Sequence, residues 1–355
     1  MSGLTASCIW RSFRNSGKRH LILTGDRGCG KTTLLSHLFP TPRPGITTWA
    51  QPELGVYLRE NTSGLCVQVG RFDPSRTGRE NKMAPIAEGF TSLGVQALSR
   101  CAGADDGWVT IDEVGYLENA CPEYQSALRR LMERQQVAAV VRKQDLPFLR
   151  ELRERQDAFV VDLDAPFGAI GCVVMASGLG RRFGGNKLMA DFRGEPLLCR
   201  VLAATQDIFP RRVVVTRHRE VADLCRARGI QVLLHDLPHR SDTIRLGLEE
   251  MDGMDRCMFC AADQPLLRRE TVQALALSCV NSPEHIWRTA YRGEPGNPVV
   301  FPAWAFAQLC ALPEGMGGGV LIKKYPQHLR LADVGDGDEL RDADTPEELS
   351  ALLER

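Results

Sequence analysis

The stretch Gly25-Asp26-Arg27-Gly28-Cys29-Gly30-Lys31-Thr32 constrains this chain more than any other. It spells Gly-x-x-x-x-Gly-Lys-Thr. The apolar run His20–Thr24 before it predicts a short buried strand, and Thr33–Leu38 after it predicts a helix. In that strand–loop–helix order, glycines let the backbone wrap a phosphate and aim N–H groups at it. Gly25, Gly28, Gly30, Lys31, Thr32 and Thr33 are the candidate phosphate-binding residues. Lys31 is expected to bridge β- and γ-phosphates, and the Thr32 hydroxyl to ligate Mg²⁺. The implied substrate is a nucleoside triphosphate, ATP or GTP.

A second stretch, Gly107–Glu118, reads as an apolar strand ending in Asp112-Glu113. Asp112 is the candidate Mg²⁺ ligand, and Glu113 the group that orients or deprotonates an attacking water. Residues 56–71 have alternating patches that suggest a hairpin. Residues 122–134 form an amphipathic helix with Tyr124, Ala127, Leu128, Leu131 and Met132 on one face. Strands at 137–141 and 158–163 flank a further helix that Asp145 is expected to cap. Strands alternating with helices predict a parallel, doubly wound sheet. Residues 1–17 show no regular pattern and read as a loose arm. From about residue 18 to 163 the chain resembles the small P-loop nucleoside-triphosphatase family. The resemblance rests on Asp112-Glu113-Val114-Gly115-Tyr116-Leu117-Glu118 as well as the glycine loop. It implies nucleoside-triphosphate hydrolysis. The family often ends the strand near Val141 with a histidine; this chain has Arg142, so no role for that histidine carries over.

The second half opens on Ile170–Glu195. A buried strand over 170–175 breaks into small residues, Ala176, Ser177, Gly178 and Gly180, where backbone N–H groups can face an anion. Arg181, Arg182 and Lys187 follow, a cation cluster suited to a triphosphate. Alternating strands and helices resume, so a second mainly parallel sheet is expected. Ser241 and Thr243 place hydroxyls at a helix start, fit for a nucleotide or for plain capping. Asp263 ends an apolar strand, where open α/β sheets carry their ligand crevice. Gly315–Gly319 reads as a mobile loop or a long turn. Asp344 precedes the last helix and is open to a metal or a capping role.

Met175-Ala176-Ser177-Gly178, Arg182-Phe183-Gly184, Lys187, Asp263 and Gly296-Asn297-Pro298-Val299 together resemble the MobA-like nucleotidyltransferases over about residues 168–355. Their closest likeness is to the molybdenum cofactor cytidylyltransferase branch. That resemblance implies Mg²⁺ on Asp263, nucleotide contacts from Ala176, Ser177, Gly178, Gly180, Arg182, Lys187, Ser241 and Thr243, CTP as substrate, and molybdopterin or the molybdenum cofactor as acceptor. Lys187, Arg182 and Asp263 are its candidate catalytic groups, as Lys31 and Glu113 are for the first half.

At 355 residues, two α/β domains are expected, 1–166 and 167–355: a P-loop domain and a Rossmann-like nucleotidyltransferase domain. Net charge is +0, which argues against nucleic-acid or membrane partners. The 12 cysteines fall mostly in apolar segments, which points to reduced thiols and a cytoplasmic protein. The reading with most support is a bifunctional enzyme of molybdenum cofactor maturation. An NTP-driven accessory protein that delivers the cofactor to a molybdoenzyme client is a second reading. A transferase for a sugar or alcohol phosphate is a third.

Overall fold

Runs such as Leu21-Ile22-Leu23 and Cys172-Val173-Val174 are apolar on consecutive residues, so a strand made from them must be covered on both faces. The computed structural model, which describes residues 3–76, 82–103, 107–180 and 182–354, uses both runs as central strands. The chain divides into two compact units, Met1–Pro166 and Phe167–Arg355.

In the first unit the strands are β1 (His20–Thr24), β2 (Gly45–Gln51), β3 (Gly55–Glu60), β4 (Cys66–Phe72), β5 (Met83–Pro85), β6 (Trp108–Val114), β7 (Gln136–Val141) and β8 (Ala158–Asp162). Their order across the sheet is β5-β4-β3-β2-β6-β7-β1-β8. From β2 to β8 every pairing is parallel. β2 to β5 form an antiparallel extension. One core cluster joins the sheet to the helix Pro122–Arg134, whose Tyr124, Ala127, Leu128, Leu131 and Met132 are all buried.

The second unit has β9 (Ile170–Ala176), a small β10 (Asp191–Phe192) and β11 (Glu195–Pro196) hairpin, then β12 (Arg211–Thr216), β13 (Val232–Leu234), β14 (Arg256–Ala261), β15 (Ile286–Tyr291), β16 (Glu294–Pro302) and β17 (Leu329–Asp333). The main sheet runs β13-β12-β9-β14-β16-β15-β17. Only β16 runs against its neighbours. Both units are therefore α/β with mainly parallel sheets, and their central strands point their carboxyl ends at the loops that carry the candidate sites.

Two local expectations are corrected. Residues 1–17 are not a loose arm: α1 (Ala6–Ser16) starts on Thr5, whose hydroxyl accepts the Cys8 N–H at 3.1 Å. Cys8, Ile9, Ser12 and Phe13 fall at helical spacing and are buried. Trp10 and Phe13 pack against Trp108 with ring centroids 5.4 Å apart, so the helix joins the core through aromatic contacts. Asp145 does not cap the helix Pro147–Arg153; Leu146 stands at that position, and Asp145 pairs with Arg150 instead. Truncating Phe13→Ala should cost about 3–5 kcal/mol, since the ring is nearly fully buried. Urea unfolding followed by tryptophan fluorescence checks this, and an unchanged midpoint would show α1 to be peripheral.

Candidate functional site

The first site sits at the carboxyl end of β1. Gly25, Gly28 and Gly30 all hold positive φ, at 141°, 82° and 96°, a region that disfavours residues with a Cβ. The loop then enters α2 (Lys31–Leu38). The Lys31 side chain is buried and folds back, donating to the carbonyls of Gly25 (2.8 Å) and Asp26 (2.6 Å). Asp164 steadies the loop by accepting the Asp26 N–H at 2.8 Å, and Lys143 balances Asp164 at 3.1 Å. Thr32 and Thr33 are both exposed at the start of α2. The Thr32 hydroxyl donates to Asp112 at 3.0 Å, so the two expected Mg²⁺ ligands converge.

That convergence depends on an irregularity. The β6–β7 register shifts between Ile111 and Val114, and Glu113 takes φ 86°. Such a bulge re-aims side chains at a strand end. Asp112 and Glu113 thereby drop out of the β6–β7 ladder, while Asp112 keeps its pairing with Thr47 of β2. Burial pushes the Asp112 carboxyl above the usual range, against the Thr32 hydrogen bond, while the Glu113 charge adds to the rise. Glu113 is held by Arg142. The residue that replaces the expected histidine thus holds the carboxylate expected to act on water. Sequence reasoning quoted Arg142 and gave it no role. The last carboxylate of the motif, Glu118, turns inward, accepts the Gly115 N–H at 2.7 Å and is almost fully buried.

The second site is a cleft of about 710 Å³ wholly within the second unit. Ser177, Gly178 and Gly180 line it from the loop after β9, and Asp263 lines it from the loop after β14. The Ser177 hydroxyl lies 3.1 Å from the Val215 carbonyl and 2.9 Å from His235 Nε2. Gly180, at φ 57°, has no room for a Cβ, which would stand 2.6 Å from the Gly185 carbonyl oxygen. Lys187 is buried in the cleft wall between Asp263 and Asp344, 2.6 Å from each. Burial opposes its charge, but the two carboxylates prevail and hold the ammonium above its usual range. Arg182, largely exposed, reaches the other oxygen of Asp344. Arg181 lies outside the described residues.

Asp342, two residues before Asp344, joins this group. The residue is exposed as a whole, yet its carboxyl is crowded. Desolvation first, then the Asp263 charge, push it up to about 6. Asp344 does not cap the last helix, because Thr345 does so through a capping box with Glu348. Thr243 lines the cleft, 1% exposed, with no partner for its hydroxyl. Ala176 and Ser241 stand apart from the lining. Ala176 is buried at the end of β9. Ser241 is buried inside the helix Arg240–Glu249, whose cap is His239 with Asp242. Gly318 owes its place to packing, since its Cβ would stand 2.7 Å from the Phe301 ring, whereas Gly315 and Gly319 at the ends of the segment have open space around them.

Arg217, Arg240 and Arg288 also line the cleft and were not singled out by sequence. Arg288 had a legible signal, a charge inside the otherwise buried run Ile286-Trp287-Arg288-Thr289-Ala290. Among the described residues, no three His, Cys, Asp or Glu side chains form a ready-made metal cluster, Cys257 and Cys260 included, so a cation would rest on one or two carboxylates and the phosphates of a substrate. No helix of the described residues is long and apolar enough to cross a membrane.

The fold is two α/β units, each with a candidate site at the carboxyl ends of its strands. Comparison with known proteins matches a family model within each unit. Residues 172–330 match the model of the MobA-like NTP transferase domain, and residues 58–166 match the NTPase model. The chain thus carries an NTPase domain and a nucleotidyltransferase domain. It is 24% identical over 153 residues to the nucleoside-triphosphatase THEP1 of Thermotoga sp. (strain RQ2), covering 41% of this chain and 86% of that protein. It is 31% identical over 94 residues to the 3-deoxy-manno-octulosonate cytidylyltransferase of Acinetobacter baumannii, covering 25% and 37%. It is 28% identical over 102 residues to a probable molybdenum cofactor guanylyltransferase of Aquifex aeolicus, covering 28% and 49%. The chain therefore spans less than half the length of either transferase relative.

Burial raises Glu118 to about 7, so between about 4.5 and 7 the folded chain keeps a proton that the unfolded chain has released. Its stabilising share is complete below about 4.5 and lost as pH rises through 7. Glu118→Gln should flatten the decline in stability of the first unit from pH 5 to 8. Denaturant midpoints across that range test this; a slope equal to wild type would place the titration elsewhere.

Proposed function

We propose that the second unit transfers CMP from CTP to the terminal phosphate of molybdopterin, releasing pyrophosphate, while the first unit hydrolyses a nucleoside triphosphate. The supporting observation is Lys187, a buried ammonium shared by Asp263 and Asp344 in a cleft lined by the small-residue loop after β9. An acceptor phosphate oxygen attacks the α-phosphorus, the bond to the α–β bridging oxygen breaks, and pyrophosphate leaves with the electron pair. Such a reaction asks for positioning and charge stabilisation. The 177–180 loop seats phosphates, and Lys187 and Arg182 neutralise charge that builds on them. Asn297, from the Gly296-Asn297-Pro298 stretch that resembles the cytidylyl branch, lines the same cleft and supports CTP over GTP.

The donor set fits Mg²⁺. Desolvation first, then the charge of Asp263, push Asp342 up, and a divalent cation relieves the part that is carboxylate crowding. Asp263, with Asp342 beside it, would hold the ion; Thr32 and Asp112 would hold one in the first unit. A bound Mg²⁺ supplies charge to the triphosphate. In the first unit, Lys31 is placed to exchange its loop carbonyls for phosphate oxygens. Glu113, fixed by Arg142, orients the water.

Asp263→Asn should reduce CTP-dependent pyrophosphate release with molybdopterin by about 10²–10³-fold while sparing NTP hydrolysis. Lys31→Ala should do the reverse, abolishing hydrolysis and sparing transfer. Both activities are measured on each purified variant, with CTP and GTP compared in the transfer assay. Unchanged transfer by Asp263→Asn, or hydrolysis at the wild-type rate by Lys31→Ala, would sink the corresponding assignment. Equal transfer from GTP would sink the choice of base.

A further inference from the structure

The cleft of the second unit has two chemically different ends. Two cations at the loop after β9 are matched: Lys187 faces Asp263 and Asp344, and Arg182 faces Asp344, whereas Arg217 lines the cleft with no carboxylate partner among the described residues. Arg240 and Arg288 also line the cleft, and among the described residues neither has a carboxylate partner. Nearby acidic groups are engaged elsewhere. Asp242 accepts the His239 N–H at 3.0 Å and lies 3.8 Å from Arg245, and Glu314 pairs with His239 at 3.3 Å.

Arg288 is half-buried on β15. Its Nε donates to the Gly296 carbonyl at 2.7 Å, and its terminal N–H groups have no protein acceptor among the described residues. Arg240 starts the helix Arg240–Glu249. Three and four residues on, Thr243 and Ile244 share its helical face and line the same cleft. The side chain of Arg240 runs along Gly317, where a Cβ would stand 3.4 Å from its Cδ. Gly318, fitted against Phe301, holds that wall. Both side chains line the same cleft, and burial, then the charge of Arg240, push the Arg288 guanidinium below its usual range. The Thr243 hydroxyl, 1% exposed and unpartnered, stands one helical turn from Arg240.

Two guanidiniums lining one cavity, beside an unsatisfied buried hydroxyl, form a seat for an anion with several oxygens. We propose that Arg240 and Arg288, with Thr243, bind the phosphate monoester of the acceptor substrate. The inference rests on the transferase reading of this cleft and adds where the acceptor sits and what it must carry. A triphosphate and a phosphate monoester brought together repel strongly, so a phosphate acceptor needs cations beyond those that hold the nucleotide. A neutral hydroxyl acceptor would leave this pair uncompensated. The seat therefore selects phosphate monoesters over neutral sugars and alcohols.

The test uses the full chain and the variants Arg240→Met, Arg288→Met and the double, which keep most of each apolar stem. Inorganic phosphate is the probe, titrated calorimetrically with Mg²⁺ and α,β-methylene-CTP filling the nucleotide end. Each single variant should weaken phosphate binding about 10–100-fold. Arg288→Lys should restore part of it. In the transfer assay the acceptor KM should rise by a similar factor while the CTP KM holds within about twofold. Should Arg288→Met fail to fold by thermal melting, Arg240→Met, at an exposed position, carries the test. Phosphate binding equal to wild type in the double variant, or a CTP KM that rises in step with the acceptor KM, overturns the seat. A protein that transfers nucleotide to no acceptor, yet loses phosphate binding with these arginines, keeps the anion seat and loses the transferase reading.

Discussion

A lysine ammonium taken out of water must find its charge balance in the protein, and each unit is organised around one such group. Lys31 and Lys187 both follow a glycine-containing loop at the end of a central strand, and both are buried. They are balanced differently. Lys31 is solvated by neutral carbonyls of its own loop. Lys187 is enclosed by charge from Asp263 and Asp344. A carbonyl is readily exchanged for a phosphate oxygen, which suits a site that captures and cleaves a triphosphate. A carboxylate pair holds its lysine in place and can also meet a divalent cation, which suits a site that must orient two anionic substrates.

The same sheet principle serves both. Parallel strands deliver their carboxyl ends to one edge, so loops distant in sequence meet there. In the first unit this brings Thr32 against Asp112. In the second it brings the loop after β9, the loop after β14 and the segment before the last helix into one charged group. Local distortion then tunes the result. The bulge at Asp112-Glu113 takes two carboxylates out of the β6–β7 ladder, and Gly318 fits closely on Phe301 in the wall of the cleft.

The motifs that sequence exposes are those whose chemistry is local. The positive-φ glycines at 25, 28 and 30 were legible because their spacing in the chain is itself the geometry of the loop. The packed face of the helix Pro122–Arg134 was legible because periodicity encodes burial. The α1 helix was missed although Thr5 and the spacing of Cys8, Ile9, Ser12 and Phe13 carried a signal. That stripe is short, and its aromatic partners Phe39 and Trp108 lie far along the chain. Arg142 could be seen to depart from a familiar pattern, but its grip on Glu113 depends on a bulge that no residue spacing announces.

By itself, the sequence determined that two α/β units each begin on a buried strand that breaks into a glycine-containing loop followed by a lysine. These are properties of contiguous residues, fixed by backbone conformation and periodicity. Tertiary structure alone decided that Lys187 meets a carboxylate 157 residues away, that Glu118 turns into the core, and that Arg240 and Arg288 share one cavity. Charge pairing and desolvation depend on distance in space, and chain order leaves that distance open until the sheet is assembled.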